Sequence, residues 1–471
     1  MRRTFLLIPL LLALLAGLPS LGGEEASHAK YFQHYEGTKT CLKCHMKEAK
    51  AFFYSDHYQW KAKAPDVVNA HGQELGKINM INDFCTNPLP SWIGPEKNPQ
   101  GKLIANGCSK CHAGLGKLPG KEPTAKELEN IDCLVCHASG YRRDLYEDGR
   151  GGWTWKPILW KNREGLDSVA KRISLPKRAM CLRCHAASGG GPNWKRGDLE
   201  YALTDCEEDF DVHMATEGND FACIDCHRGE NHRIKGRGVD LAANDMPGER
   251  ILCTDCHEER PHGIRVLDDH TKRIACNTCH IPTFANEDAT DMERDWSKPV
   301  YHEDLGKWTA TIRMESEVTP VYAWWNGKVR MQLAHQPVEL QENGTIGMVV
   351  PLGSREDPNA KIYPFKLHRG RMPVLDGKEW LLPIKVEEFF ARGDLDEAIR
   401  GGAREFYGIH DAKWHFVPTE RYMGLFHEVA PADYALGCLD CHRQGGRIDW
   451  KALGYDGDPL ERKLYGNEGG R

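Results

Sequence analysis

Sixteen of the chain's 18 cysteines fall into one pattern, Cys-x-x-Cys-His, and no other feature constrains the fold as strongly. The pairs are Cys41 and Cys44 with His45, Cys108 and Cys111 with His112, Cys133 and Cys136 with His137, and Cys181 and Cys184 with His185. They continue with Cys223 and Cys226 with His227, Cys253 and Cys256 with His257, Cys276 and Cys279 with His280, and Cys438 and Cys441 with His442. Two thiols one helical turn apart can each add to a vinyl group of the same porphyrin. The next residue then brings an imidazole beneath the iron. This spacing is the attachment signature of c-type haem. Zinc and disulfides are the rival uses of paired cysteines. A zinc site gathers four ligands from paired half-sites, which leaves the histidine after every second cysteine without a role. A Cys-x-x-Cys loop is too tight for a structural bridge repeated at every motif. The expected cofactors are eight covalently bound haem c groups with their iron.

Haem density then decides the fold class. The expected mature chain has about 55 residues per haem, and burial of each apolar plate offsets chain entropy much as a leucine core would. The expectation is a multihaem cytochrome c of mostly short α-helices and irregular loops wrapped around a haem stack. A small β-containing insertion is expected before the last haem motif. Haems packed this densely exchange electrons.

Arg2 and Arg3, the apolar run Phe5 to Leu18 and the small residues Ser20, Gly22 and Gly23 have the layout of a secretory signal peptide. Residues 1–23 are read as that signal, which implies a periplasmic or otherwise exported protein. The run is shorter than the roughly 20 apolar residues of a spanning helix, so no transmembrane segment is expected in the mature chain. The net charge of −6, with both signs interspersed, gives no nucleic-acid signature.

Residues 24–285 carry seven motifs, and residues 431–471 carry the eighth with the C-terminal tail. Between them, residues 286–430 contain no motif and are rich in tryptophan. Val321 to Trp325 and Lys328 to Leu333 read as strands joined by an Asn326-Gly327 hairpin turn. Val386 to Arg392 and Asp394 to Ile399 read as short helices punctuated by Gly393. The interval is expected to cap the haem stack, with an independent domain as the alternative. Beyond the motif histidines, His57, His213, His232, His262, His270, His368 and His427 stand beside helical or turn segments and suit distal ligands. His28, His34, His71, His302, His335, His410 and His415 remain open.

The arrangement resembles the octahaem tetrathionate reductase family of c-type cytochromes, from about Thr40 to Pro459. Its markers include Gly76-Lys77-Ile78-Asn79, Ile81-Asn82-Asp83-Phe84-Cys85, Cys108-Ser109-Lys110-Cys111-His112-Ala113-Gly114 and Arg196-Gly197-Asp198-Leu199. Others are Asp211-Val212-His213-Met214, Ile362-Tyr363-Pro364-Phe365-Lys366-Leu367-His368 and His427-Glu428-Val429-Ala430-Pro431. The resemblance implies seven bis-histidine haems whose distal ligands are His57, His213, His232, His262, His270, His368 and His427. It also implies one haem, on Cys108 and Cys111, that takes a lysine amine and keeps its other face open as the active site. The family's lysine follows the third motif in a Tyr-Lys-Lys-like segment. Here Tyr141 is followed by Arg142 and Arg143, and Lys156 is the expected replacement, with Lys161 the next candidate. Cys85, with Asn82 three residues before it, is expected beside the open face. A disulfide between Cys85 and Cys206 is the alternative.

The resemblance implies a reductase for small anions: tetrathionate to thiosulfate, or nitrite or hydroxylamine to ammonia. Its donor would be a redox partner protein or a quinol-linked cytochrome. A non-catalytic electron conduit is the rival reading. An oxidative enzyme of the hydroxylamine oxidoreductase kind is a third, and no segment marks the crosslinking tyrosine it needs.

Overall fold

The computed structural model describes residues 26–158 and 165–461. The expected signal segment and Lys161 lie outside the described residues.

Regular structure in the motif-bearing part is short. The motifs sit on single turns or brief helices: Thr38–Leu42, Cys108–Cys111, Leu134–His137, Arg178–His185, Cys223–Cys226, Cys253–Asp255, Cys276–His280 and Cys438–Cys441. Three of these turns are capped by the aspartate inside the motif. Asp225, Asp255 and Asp440 accept the backbone N–H groups of Ala222, Leu252 and Gly437. Each carboxylate satisfies one of the donors that a helix start leaves free. Protein-only packing here forms small clusters, such as Ala49, Phe53, Tyr58, Leu128 and Ile131.

Residues 290–424 build a different object, larger than the short strand-like runs in the sequence suggested. Its strands are β1 Thr290–His302, β2 Lys307–Glu315, β3 Val321–Trp325, β4 Val329–Met331, β5 Ile346–Pro351, β6 Lys361–Leu375, β7 Trp380–Leu381 and β8 Trp414–Gly424. They form one sheet in the order β2-β1-β6-β8-β5-β4, with β3 and β7 also paired to β6. The contacts β1–β6 and β5–β8 are parallel, and the others are antiparallel. Strand β6 is central and mostly buried, so apolar side chains occupy both its faces. In β1 the register shifts between Asp295 and Pro299, which places the proline at a bulge where no ladder donor is needed.

Two sequence expectations change here. Asn326-Gly327 does not close a hairpin, because β3 pairs with β6 while β4 pairs with β5. The turn instead hands the chain from one partner to another. The second helix is longer than expected: α1 spans Val386–Arg392 and α2 spans Leu395–Tyr407. Gly393 between them adopts φ 77°, and a Cβ there would run into Trp308. Asp394 caps α2 by accepting from Glu397 N at 2.9 Å. Trp296, Met372, Val374, Leu382, Ile384, Phe389, Ile399 and Ala403 form the main core between sheet and helices.

The sheet also binds the motif-bearing segments. Asn277 Nδ2 donates to Leu425 O at 2.6 Å, Thr278 Oγ1 to Ile362 O at 2.8 Å, and Trp324 Nε1 to Leu453 O at 2.9 Å. No helix among the described residues is long and apolar enough to cross a membrane.

Candidate haem centres and active site

Two imidazoles that bind one metal from opposite sides, each through a nitrogen about 2 Å away, put their ring centres roughly 6 Å apart. Seven motif histidines meet a second imidazole at that spacing. The ring-centre separations are 6.2 Å for His45 and His28, 6.3 Å for His137 and His232, and 6.1 Å for His185 and His57. They are 6.2 Å for His227 and His427, 6.0 Å for His257 and His213, 6.4 Å for His280 and His262, and 6.2 Å for His442 and His270. With paired cysteines one turn away at each site, these residues fit haem c.

Six of the partners are histidines expected from the sequence, and the seventh is not. His368 faces no motif histidine. Its Nδ1 is hydrogen-bonded to Asp83 Oδ2 at 2.7 Å, and its Nε2 lies 3.4 Å from Asp291 Oδ1 without a hydrogen bond. With Phe84 stacked on its ring and no motif imidazole opposite it, His368 does not take the expected place of a distal ligand. His28 stands opposite His45 instead. The two-residue strand Ala26–Ser27 pairs with Arg172–Ile173 and sets it there, aided by His28 N donating to Lys171 O at 2.8 Å. No periodicity or turn signal in the sequence separated His28 from the other spare histidines.

The remaining motif histidine, His112 of the second motif, faces no second imidazole among the described residues. Its ring is fully buried, and its Nε2 is 2.7 Å from Tyr58 O. Tyr58, Trp60 and Trp92 surround it with ring centres at 5.1, 5.4 and 5.1 Å. Burial pushes its pKa down to about 4, so the neutral ring donates its Nε2 hydrogen to Tyr58. A Cβ on Gly114 would come within 2.7 Å of the ring. The second motif is thus the one whose histidine is used for packing.

Arg143 braces that motif. Its Nη2 donates to Lys110 O at 3.0 Å and to His112 O at 2.6 Å, and its Nη1 to Gly114 O at 2.9 Å and Asp132 Oδ2 at 2.8 Å. The segment after the third motif therefore reaches the second, but with a guanidinium in place of an amine. Lys156 does not replace it. The strands Arg143–Glu147 and Trp153–Pro157 form a hairpin that buries Trp155 and exposes Lys156 opposite Asp144. Strand alternation turns Lys156 away as surely as it turns Trp155 toward Ser109 Oγ, 3.0 Å away. This corrects the expectation that Lys156 lies at the iron.

Another lysine is at the site. The Lys77 ammonium is within electrostatic reach of the Cys111, Cys85, Cys108 and Cys184 sulfurs, and its Nζ is 4.5 Å from the Trp60 ring centre. Cys85 and Cys206 are both free thiols, so the disulfide between them is not formed. Asn82 shapes the turn that presents Cys85. Its Oδ1 accepts from Phe84 N at 2.9 Å and Cys85 N at 3.1 Å, while its own N donates to Thr86 O at 2.9 Å. The sheet segment supplies Glu387, whose Oε1 is 3.1 Å from Cys108 Sγ. Burial pushes that carboxyl up. Lys77, Asp83 and His368 all lie in stretches that looked distinctive in the sequence. Arg294, Arg421 and Asp291 carried no such mark.

Cysteines of different motifs meet in a definite order. The sulfurs of Cys41 and Cys133, of Cys111 and Cys184, of Cys181 and Cys223, and of Cys253 and Cys276 are neighbours. Electrostatic contacts link Cys136 to Cys181 and Cys184, Cys226 to Cys256, and Cys279 to Cys441. Numbered along the chain, the motifs run 1-3-4-5-6-7-8, and motif 2 branches from motif 4.

Two cytochrome families match parts of the chain: bacterial cytochrome c over residues 277–445, and cytochrome c7 and related cytochrome c over residues 206–281. A protein of Archaeoglobus fulgidus, described only as uncharacterized, is 32% identical over 293 residues, or 52% of this chain and 96% of that one. The crystal structure of octahaem cytochrome c from Shewanella oneidensis has a TM-score of 0.74 and 30% identity, covering 90% of this chain and 94% of its own. A likeness across nearly the whole of both chains, on residues already arranged to take haem, makes this chain a member of the multihaem c-type cytochromes, with covalently bound haem c and an electron-transfer role.

Proposed function

We propose that the chain is an exported octahaem reductase in which seven haems relay electrons to one open haem, on Cys108 and Cys111, where a small sulfur or nitrogen anion is reduced. The observation that carries this reading is the state of His112, the one motif histidine that faces no second imidazole among the described residues and whose Nε2 is taken by a backbone carbonyl. The haems supply one-electron transfer and, at one iron, a coordination position for a small ligand.

The protein's own groups do the rest. The facing imidazoles close the seven relay irons. Lys77 is the amine we assign to the open centre, in place of Lys156. Lys195, within electrostatic reach of Lys77 and Arg421 and paired with Asp240, adds a second ammonium to this neighbourhood. The Cys85 thiol, held by Asn82, faces the reacting sulfur or nitrogen. Tetrathionate would give thiosulfate by cleavage of its central S–S bond, and nitrite or hydroxylamine would give ammonia. Electrons come from a redox partner protein or a quinol-linked cytochrome, and the segment 286–430 caps the haem stack, bringing Glu387 to Cys108. Residues 1–23 direct export.

The test is an assay of the holoprotein with a reduced viologen dye against tetrathionate, nitrite and hydroxylamine in turn. Dye oxidation with at least one of them is expected. Lys77→Ala should change the spectrum of one haem only. A conduit is the second reading, and the motif order 1-3-4-5-6-7-8, which bypasses motif 2, favours it. No turnover with any of the three anions, and no ligand bound, would select the conduit.

A further inference from the structure

The two ends of the motif order carry opposite charge. Motif 1 opens the order and motif 8 closes it. Residues 28–54, around motif 1, hold five lysines against two glutamates, a net charge of +3. Residues 431–461, around motif 8, hold three basic side chains against six acidic ones, a net charge of −3. The five lysines, Lys30, Lys39, Lys43, Lys47 and Lys50, are all exposed. Lys39 sits on the helix Thr38–Leu42, Lys43 follows its last residue, and Lys47 and Lys50 share a side of the helix Met46–Phe53, which buries Ala49 and Phe53. The two glutamates are engaged. Glu36 pairs with Lys39 at 3.5 Å, and Glu48 lies 4.0 Å from His45 Nδ1. Lys43, Lys47 and Lys50 make no ion pair among the described residues. Lys171 and Asp167 of the neighbouring segment, held to Gln33 O and to His34, offset each other. The middle of this surface is apolar. Tyr31, with its ring centre 5.6 Å from that of His28, is exposed, and so are Met46 and Cys44 on either side of His45. An apolar centre with a charged rim suits a partner that is steered in by charge.

We propose that the face of motif 1 is the protein's electron entry port, and that its occupant is an acidic one-electron carrier protein docked by a carboxylate-rich face on Lys43, Lys47 and Lys50. Each encounter oxidises the carrier by one electron and reduces this protein by one, with no bond made or broken. From motif 1 the order reaches motif 2 through motifs 3 and 4, whereas from motif 8 it passes through motifs 7, 6, 5 and 4. The acidic end at motif 8 repels the same carrier, so surface charge selects the end nearer motif 2. The assignment stands on the motif order and the surface charge, and it holds for a reductase and for a conduit alike.

The probe is flavodoxin, an acidic one-electron carrier protein, mixed with the oxidised holoprotein. Binding of oxidised flavodoxin is read by calorimetry, where no electron moves, and haem reduction by reduced flavodoxin is read by stopped-flow absorbance. Both should weaken as salt is added. Lys43→Glu, Lys47→Glu and Lys50→Glu combined should lower the bimolecular rate constant at low salt by about tenfold or more, with a matching loss of binding. Lys43→Gln, Lys47→Gln and Lys50→Gln combined should fall between that variant and the natural chain. Asp433→Lys with Glu461→Lys, at motif 8, should leave both readouts unchanged. A charge-reversed motif 1 that binds flavodoxin and is reduced as fast as before overturns the assignment. So does a rate that responds only to the substitutions at motif 8, or a natural chain that flavodoxin neither binds nor reduces. Self-association of the natural chain that the lysine substitutions abolish would give this face to a second copy, and that result also overturns it. None of these readouts involves a reducible anion, so failure of the open-haem reading leaves them standing.

Discussion

Two parts of the molecule solve the folding problem in opposite ways. The motif-bearing segments consist of helices of at most eight residues, strands of two to five residues and small apolar clusters. The segment 290–424 has an eight-stranded sheet, two amphipathic helices and a continuous core around Trp296 and Phe389. The first leaves room that porphyrin plates fill. The second is complete with side chains alone. Attachment of a large apolar group thus substitutes for apolar sequence, which is why the motif-rich part can be so polar.

The largest expected effect comes from withholding haem. In protein made without haem attachment, amides of the motif-bearing segments should lose protection from hydrogen exchange, while strands β6 and β8 keep it. Uniform protection, or uniform loss, would erase the contrast. Next is Phe389→Ala, which removes a fully buried ring from the sheet core. It should cost about 3–5 kcal/mol in denaturant unfolding without changing the haem spectrum. The mirror experiment acts on ligation. His28→Ala should convert one haem from low to high spin, whereas His335→Ala, against Trp380 and Tyr407 in the sheet segment, should leave every haem unchanged.

A smaller effect is expected in acid. The folded state holds the Asp83 and Asp291 carboxyls below the ordinary value near 3.8, so the unfolded chain binds protons first as pH falls. Their stabilisation is full above that value and is lost below it, at up to roughly 1.4 kcal/mol per pH unit for each group. Urea midpoints measured from pH 5 downward should fall less steeply in Asp83→Asn than in the natural chain. The smallest effect belongs to Lys156→Ala on its exposed strand: less than about 0.5 kcal/mol, and no spectral change.

What the sequence made legible follows the range of the forces involved. The attachment cysteines and their histidines were readable because their chemistry is local, fixed by a spacing of three residues. The helix Val386–Arg392 and the strand Val321–Trp325 were readable for the same reason. Partners across the fold were harder. His28 and His45 meet because a two-residue strand pairs with Arg172–Ile173, which no local pattern announces. His368 looked like a ligand, and only the fold shows Asp83 taking its Nδ1 and Phe84 stacked on its ring with no motif imidazole opposite. Lys156 failed by a single step of strand alternation: its neighbour Trp155 points inward.

The account stands most directly on the electron paramagnetic resonance spectrum of the fully oxidised holoprotein, before and after added cyanide. It predicts one high-spin haem beside seven low-spin ones, with only the high-spin signal responding to the ligand. A spectrum that is entirely low-spin and indifferent to cyanide would contradict it.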